Sequence, residues 1–151
     1  MTGSPFEVGR PARRTRPRWD VLAVIFVGGC AGGVARYALD KNWPAGAGDF
    51  PWTIFSINTS GAFVLSLVIV IAADVLPSRY LRPLLGTGFC GAFTTFSSIV
   101  VTFDELLAHH HPGVAVGYLV ASIGAGLAAA WLGLVAGRTI AAVRRSRGET
   151  S

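Results

Sequence analysis

The stretch from Gly86 to Ile99, read as Gly-Thr-Gly-Phe-Cys-Gly-Ala-Phe-Thr-Thr-Phe-Ser-Ser-Ile, sets the tightest limit on what this chain can fold into. It lies inside an apolar region long enough to cross a membrane, yet it makes a poor continuous helix. Each of Gly86, Gly88 and Gly91 costs a helix roughly 1 kcal/mol relative to alanine. The hydroxyls of Thr94, Thr95, Ser97 and Ser98 compete with the backbone for hydrogen bonds, and Phe93 and Phe96 stand among them. In lipid, backbone goes unpaired only where protein buries it or water lines it. Two readings stay open: an ion pathway built on a broken helix, or a glycine-rich packing helix whose hydroxyls bond back to its own carbonyls.

Composition assigns the rest of the chain to the same setting. Of 151 residues, 52% are hydrophobic and 14% charged, against about 25% charged in soluble domains. With a mean hydropathy of +0.54, this reads as a membrane protein of one domain. A net charge of +5 raises the question of nucleic acid, but the arginines gather in two tails around an apolar interior. Membrane topology accounts for them, and no nucleic-acid partner is expected. Cys30 and Cys90 sit in apolar segments without metal or redox spacing and read as small packing residues. His109, His110 and His111 beside Pro112 read as a solvated loop, since no second cluster supplies further ligands.

Residues 1–18, with three prolines and five arginines, are expected to be a disordered basic cytoplasmic tail. Four spans follow within a membrane domain at 19–140. The first, Trp19 to about Leu39, is longer than a signal-peptide core and lacks a small-x-small cleavage site, so it reads as a transmembrane helix. It carries two close-packing pairs, Gly28 with Gly32 and Gly29 with Gly33. Near its end stands Arg36, either a cation snorkelling to the headgroups or a fixed charge that draws anions toward a vestibule or pins a broken helix. The second span, about Trp52 to Leu76, holds Asn58, an amide that in lipid needs either a neighbouring helix or a permeating species. The third runs from about Leu81 to Phe103, with Asp104, Glu105 and the histidines as the next loop. The fourth, about Val114 to Gly137, puts Tyr118 and Ser122 on one face and ends in a close-packing pair, Gly133 with Gly137. Residues 141–151 form a second basic tail.

Four spans return both tails to one side. Of the 13 Lys and Arg, only Arg36 and Lys41 fall on the opposite side. The positive-inside rule then places both termini in the cytoplasm.

Three motifs, one on each of the first three spans, bring a resemblance. Gly28-Gly29-Cys30-Ala31-Gly32-Gly33-Val34-Ala35-Arg36-Tyr37 resembles the GGxxGxxxRY signature of the small fluoride channels called the Fluc or CrcB family. Ile57-Asn58-Thr59-Ser60-Gly61-Ala62-Phe63 is similar to its V-N-x-x-G-x-F. Gly88 to Ser98 is similar to its GFCGGxTTFST. The resemblance implies an all-α membrane protein of four transmembrane helices, the third interrupted at mid-membrane, paired as an antiparallel dimer in the cell membrane. It implies a non-enzymatic, fluoride-selective channel that lets fluoride leave the cytoplasm by passive permeation and so relieves its toxicity. It also implies a structural sodium ion at the dimer centre, held by the backbone carbonyls of Gly91 and Thr94. Pore roles are implied for Asn58, Phe96, Ser97, Tyr118 and Ser122, with Phe96 presenting the positive edge of its ring to the anion. A second pore phenylalanine of the family is Ile99 in this sequence, a departure that leaves the aromatic track short of one edge.

Rival readings fare less well. A four-helix multidrug-type exporter needs an intramembrane carboxylate, and the acidic residues Asp20, Asp40, Asp74, Asp104 and Glu105 all sit at span ends. A scaffold subunit leaves Asn58 and the hydroxyls without purpose, and no span pairs a nucleophile with a base. One consequence is particular to this chain. Identical antiparallel subunits need dual topology, whereas this charge bias predicts a single orientation. The expected partner is therefore a homologous chain of reverse bias, completing a heterodimer.

Overall fold

Prolines fall where helices begin: Pro51 immediately before the second apolar run, Pro83 in the first turn of the third, Pro112 at the start of the fourth. At those positions the missing N–H costs nothing. In a computed structural model, which describes residues 18–46, 48–76 and 78–148, the runs between them are helical. They are α1 (Trp19–Asn42), α2 (Trp52–Val70), α3 (Gly91–Phe93), α4 (Phe96–Ala108) and α5 (Pro112–Gly148). Two stretches are wound more widely, with π-type turns: Ile71–Val75 continues α2, and Arg82–Cys90 leads into α3. Four spans, Trp19–Asn42, Trp52–Val75, Arg82–Ala108 and Pro112–Ser146, are long and apolar enough to cross a membrane. Large apolar side chains such as Phe26, Val34 and Trp131 are exposed on the chain's own surface, as lipid-facing or partner-facing residues are.

The spans do not pack in chain order. α1 lies along the π-wound segment, α2 along α5, and α4 against α5, whereas α1 and α2 barely touch. Glycine sets the closest approaches. A Cβ on Gly28 would sit 2.2 Å from the Leu84 carbonyl oxygen, and one on Gly32 would sit 2.2 Å from that of Phe89. From the facing side, a Cβ on Gly88 would come within 2.6 Å of the Ile25 carbonyl oxygen. Here backbone meets backbone, the arrangement that drives association where lipid removes the hydrophobic effect. On the other seam Gly133 and Gly137 of α5 receive the Phe63 carbonyl and the Val70 side chain of α2. The adjoining pair differs: Gly29 has only a distant neighbour and Gly33 none within 4 Å.

Side chains tie the ends together on the tail side. Arg79 pairs with Asp20, Tyr80 Oη donates to the same carboxylate at 3.1 Å, and Arg144 donates to the Val75 carbonyl at 2.6 Å. Exposed pairs of this kind are each worth at most about 1 kcal/mol, so they set register more than stability.

Two boundaries differ from the sequence reading. α4 runs through Asp104 and Glu105 to Ala108, so those residues are helical and only the histidines make the turn. His110 takes the left-handed conformation there, φ 61°. α5 runs to Gly148, so most of the segment at 141–151, expected as a tail, extends the last helix. No glycine or proline interrupts residues 138–147, and alanine and arginine are strong helix formers. The N-terminal tail lies outside the described residues except for Arg18.

Candidate functional site

Backbone dihedrals single out Thr94 and Thr95. Thr94 has φ −82° and ψ 151°, and Thr95 has φ −153° and ψ 118°. Both are extended, between the helical residues Gly91–Phe93 and Phe96–Ala108. The Thr95 hydroxyl caps α4, accepting from the Ser98 N–H at 3.2 Å and lying 2.9 Å from the Ser97 hydroxyl. A threonine at that position stabilises a helix start by roughly 1 kcal/mol.

Asn58 reaches these residues from α2. Its Oδ1 accepts the Thr95 N–H at 2.8 Å, and its Nδ2 donates to the Ile54 carbonyl at 2.9 Å. The partner an intramembrane amide requires is thus a backbone N–H of the third span. In an unbroken helix that N–H would meet the Gly91 carbonyl four residues back. With the bond diverted, Gly91 loses that partner, and among the described residues no hydrogen bond reaches the Thr94 carbonyl. Thr94 instead sends both its N–H and its hydroxyl to the Cys90 carbonyl, at 2.9 and 2.8 Å. Its methyl fills a notch at Gly61, where a Cβ would lie 2.1 Å from it. Gly91 itself is exposed, and a Cβ there would find its nearest neighbour 4.0 Å away. Among the described residues no three His, Cys, Asp or Glu side chains gather.

The other expected site residues fall into two further groups. Arg36 is half-buried and lines a cavity of about 220 Å³ with Tyr37, Asp40, Thr95 and Ser98. Among the described residues no carboxylate pairs with it. A neighbouring cavity of about 480 Å³ shares Asp40 and Ser98 and adds Ser97 and Glu105. Ser97 is exposed there, and Phe96, which lines neither cavity, is exposed on the chain surface at 69%. Tyr118 and Ser122 line neither cavity and are buried on α5. Tyr118 is fully buried, packed in a cluster with Ile99, Leu106 and Ala115, its ring edge-on to Phe50 at 5.6 Å. Its hydroxyl stands beside that of Ser122 outside strict hydrogen-bond geometry, and among the described residues neither these nor the buried Thr59 hydroxyl has another partner. In lipid such hydroxyls are costly unless something else meets them.

The structure therefore joins Asn58 to Thr95, the residue after Thr94, sets Arg36 and Ser97 around the adjoining cavities, and buries Tyr118 and Ser122 on α5. Gly61 and Thr95 take part without having been singled out. The three-residue spacing of Asn58 and Gly61, one helical face, was the available signal.

Residues 23–134 match the family model described as "CrcB-like protein, Camphor Resistance (CrcB)". A Streptomyces avermitilis protein named fluoride-specific ion channel FluC 3 is 48% identical over 135 residues, covering 89% of this chain and 66% of that protein. One from Streptomyces coelicolor, named fluoride-specific ion channel FluC 1, is 39% identical over 150 residues, covering 96% and 97%. A third, of the same name, from Mycolicibacterium paratuberculosis is 46% identical over 112 residues, covering 74% and 85%.

Proposed function

The chain belongs to the CrcB family, and from that premise we propose that it forms a fluoride-selective channel through which fluoride leaves the cytoplasm passively. The observation that carries this reading is similarity to proteins named as fluoride channels, one of them matched over 96% of this chain and 97% of its own length, borne by a multi-pass membrane chain. No carboxylate lies deep in its described spans to serve a proton-coupled exporter.

Fluoride is small and strongly hydrated, so a narrow path must replace its water with hydrogen-bond donors at close spacing. This chain offers several without a fixed charge at mid-membrane. Asn58 has a second Nδ2 hydrogen beyond the one given to Ile54. Ser97 offers a hydroxyl at the cavity wall, and Phe96 offers the positive edge of an exposed ring. The buried, unpartnered hydroxyls of Tyr118 and Ser122 supply a second polar stretch. Arg36 beside the Thr95–Ser98 cavity raises the local anion concentration at the mouth without trapping the ion in the path.

The extended pair at Thr94 and Thr95 serves as the mid-membrane interruption of the third span. The carbonyls of Gly91 and Thr94, freed of helical partners, fit a hard monovalent cation, which prefers oxygen ligands. A sodium ion held there would supply fixed positive charge and a joint between two antiparallel subunits. The exposed Gly91, Phe96 and open Gly33 edge fit a surface that a second subunit covers. Positive-inside bias sets both termini in the cytoplasm, and the expected partner is a homologous chain of opposite orientation.

Fluoride efflux from liposomes carrying the purified chain, alone and with a homologue of reversed charge bias, tests this. Electrode-detected fluoride release with no matching chloride release is the expected result. Equal chloride release, or none from either preparation, overturns selectivity or conduction. Flux from this chain alone overturns the heterodimer.

A further inference from the structure

We propose that Asn58 and Gly61 of α2 are a positioning pair: they hold the carbonyls of Gly91 and Thr94 open, so that a helix contributing no ligand sets the cation's affinity. This rests on the central cation proposed above.

The argument begins with the Thr95 N–H, which can go to one of two oxygens. In a regular helix it goes to the Gly91 carbonyl; here it goes to Asn58 Oδ1 at 2.8 Å. The orientation of the amide is fixed at both ends, since exchanging its oxygen and nitrogen would set donor against donor at Thr95 and acceptor against acceptor at Ile54. Gly61 stands one turn along the same face and admits the Thr94 methyl, which any side chain at 61 would displace. One residue of α2 thus holds the extended backbone and the other makes room for its side chain. Without the Asn58 acceptor, the Thr95 N–H is free to return to Gly91, closing the helix and withdrawing that oxygen. The amide's remaining N–H is on its opposite end, so donating to an anion and holding the backbone are separable roles of one side chain.

Two substitutions separate them. Asn58→Asp keeps an oxygen for Thr95 and removes the amide's spare donor; its second oxygen, protonated in this apolar setting, still donates to the Ile54 carbonyl. Asn58→Ser keeps a hydroxyl donor and can bond back one turn, as Ser60 does to the Ser56 carbonyl at 2.6 Å, so it stands in the helix; it is too short to reach Thr95. The assembled channel in detergent is titrated with sodium at constant ionic strength, and the dimer fraction is read by size-exclusion chromatography. The sodium midpoint of Asn58→Asp should stay within about twofold of the parent or fall below it, while that of Asn58→Ser should rise about tenfold, the worth of one buried hydrogen bond. A parent-like midpoint in Asn58→Ser, or an equal rise in Asn58→Asp, overturns the positioning role alone. A parent dimer indifferent to sodium overturns the central cation and this role with it.

Discussion

The two halves of the third span are held by opposite means. From Arg82 to Cys90 the chain is wound wide and lies on α1, with Gly28, Gly32 and Gly88 letting carbonyl oxygens approach where a methyl group would otherwise be. From Thr94 onward it is held by what side chains add: the Asn58 amide, the Thr94 methyl in its notch, the Thr95 cap. The first half is a surface from which atoms have been removed; the second is a junction where polar atoms are placed. The difference teaches that glycine content alone does not mark a functional site in a membrane chain. The glycines make the platform, and the chemistry begins where they stop.

That contrast breaks most readily at the platform. Gly32→Val sets a branched side chain against the Phe89 carbonyl, a backbone atom that cannot swing aside. The expected loss is about 3 kcal/mol or more, the upper range for overpacking. Fluorescence-detected size-exclusion chromatography should show aggregate in place of folded protein; a monodisperse Gly32→Val peak with unchanged melting would refute the backbone contact. At the junction the effect of subtraction is smaller. Thr94→Ser empties the notch at Gly61 of one methyl while keeping the hydroxyl bond to Cys90, a loss of about 1 kcal/mol. Thermal melting in detergent should fall by a few degrees, and the sodium midpoint should shift far less than in Asn58→Ser, because the side chain is not the proposed ligand and the Thr95 bond to Asn58 stays in place. Gly33→Ala should do least to the fold, since nothing lies within 4 Å of its would-be Cβ; melting of the single chain is expected within about 0.5 kcal/mol of the parent. A large loss of dimer with intact folding would instead place a subunit contact on that edge.

Hydropathy made the four spans legible, and the charge on their flanks made an orientation arguable. Both glycine pairs of α1 were visible in the sequence. Which one packs depends on how the helix is rotated, and adjoining positions on one face read alike. The need of Asn58 for a partner was legible too. Its identity was not, because a backbone N–H 37 residues away carries no side-chain signature. The wide winding of Arg82–Cys90 escaped for a related reason: it is imposed by packing on α1. Asp104 and Glu105 read as loop by polarity, yet α4 continues past them, as helices do when their ends emerge into water. Ile99, read against the family pattern as a missing ring, lies buried against Tyr118, a neighbour that spacing alone does not reveal.

The crossed order of packing also bears on how the protein is made. Spans enter the bilayer from the N-terminus onward, yet α1 finds its close partner only in the third span, and α2 finds its own only in α5. A ribosome that has released the first two helices has therefore released two strangers. The Asn58 amide then waits in lipid without the Thr95 N–H, and the glycine notches of α1 lie open to any passing helix. The nascent chain is most exposed to quality control at that stage. Its yield in a cell should depend on how quickly the third span follows.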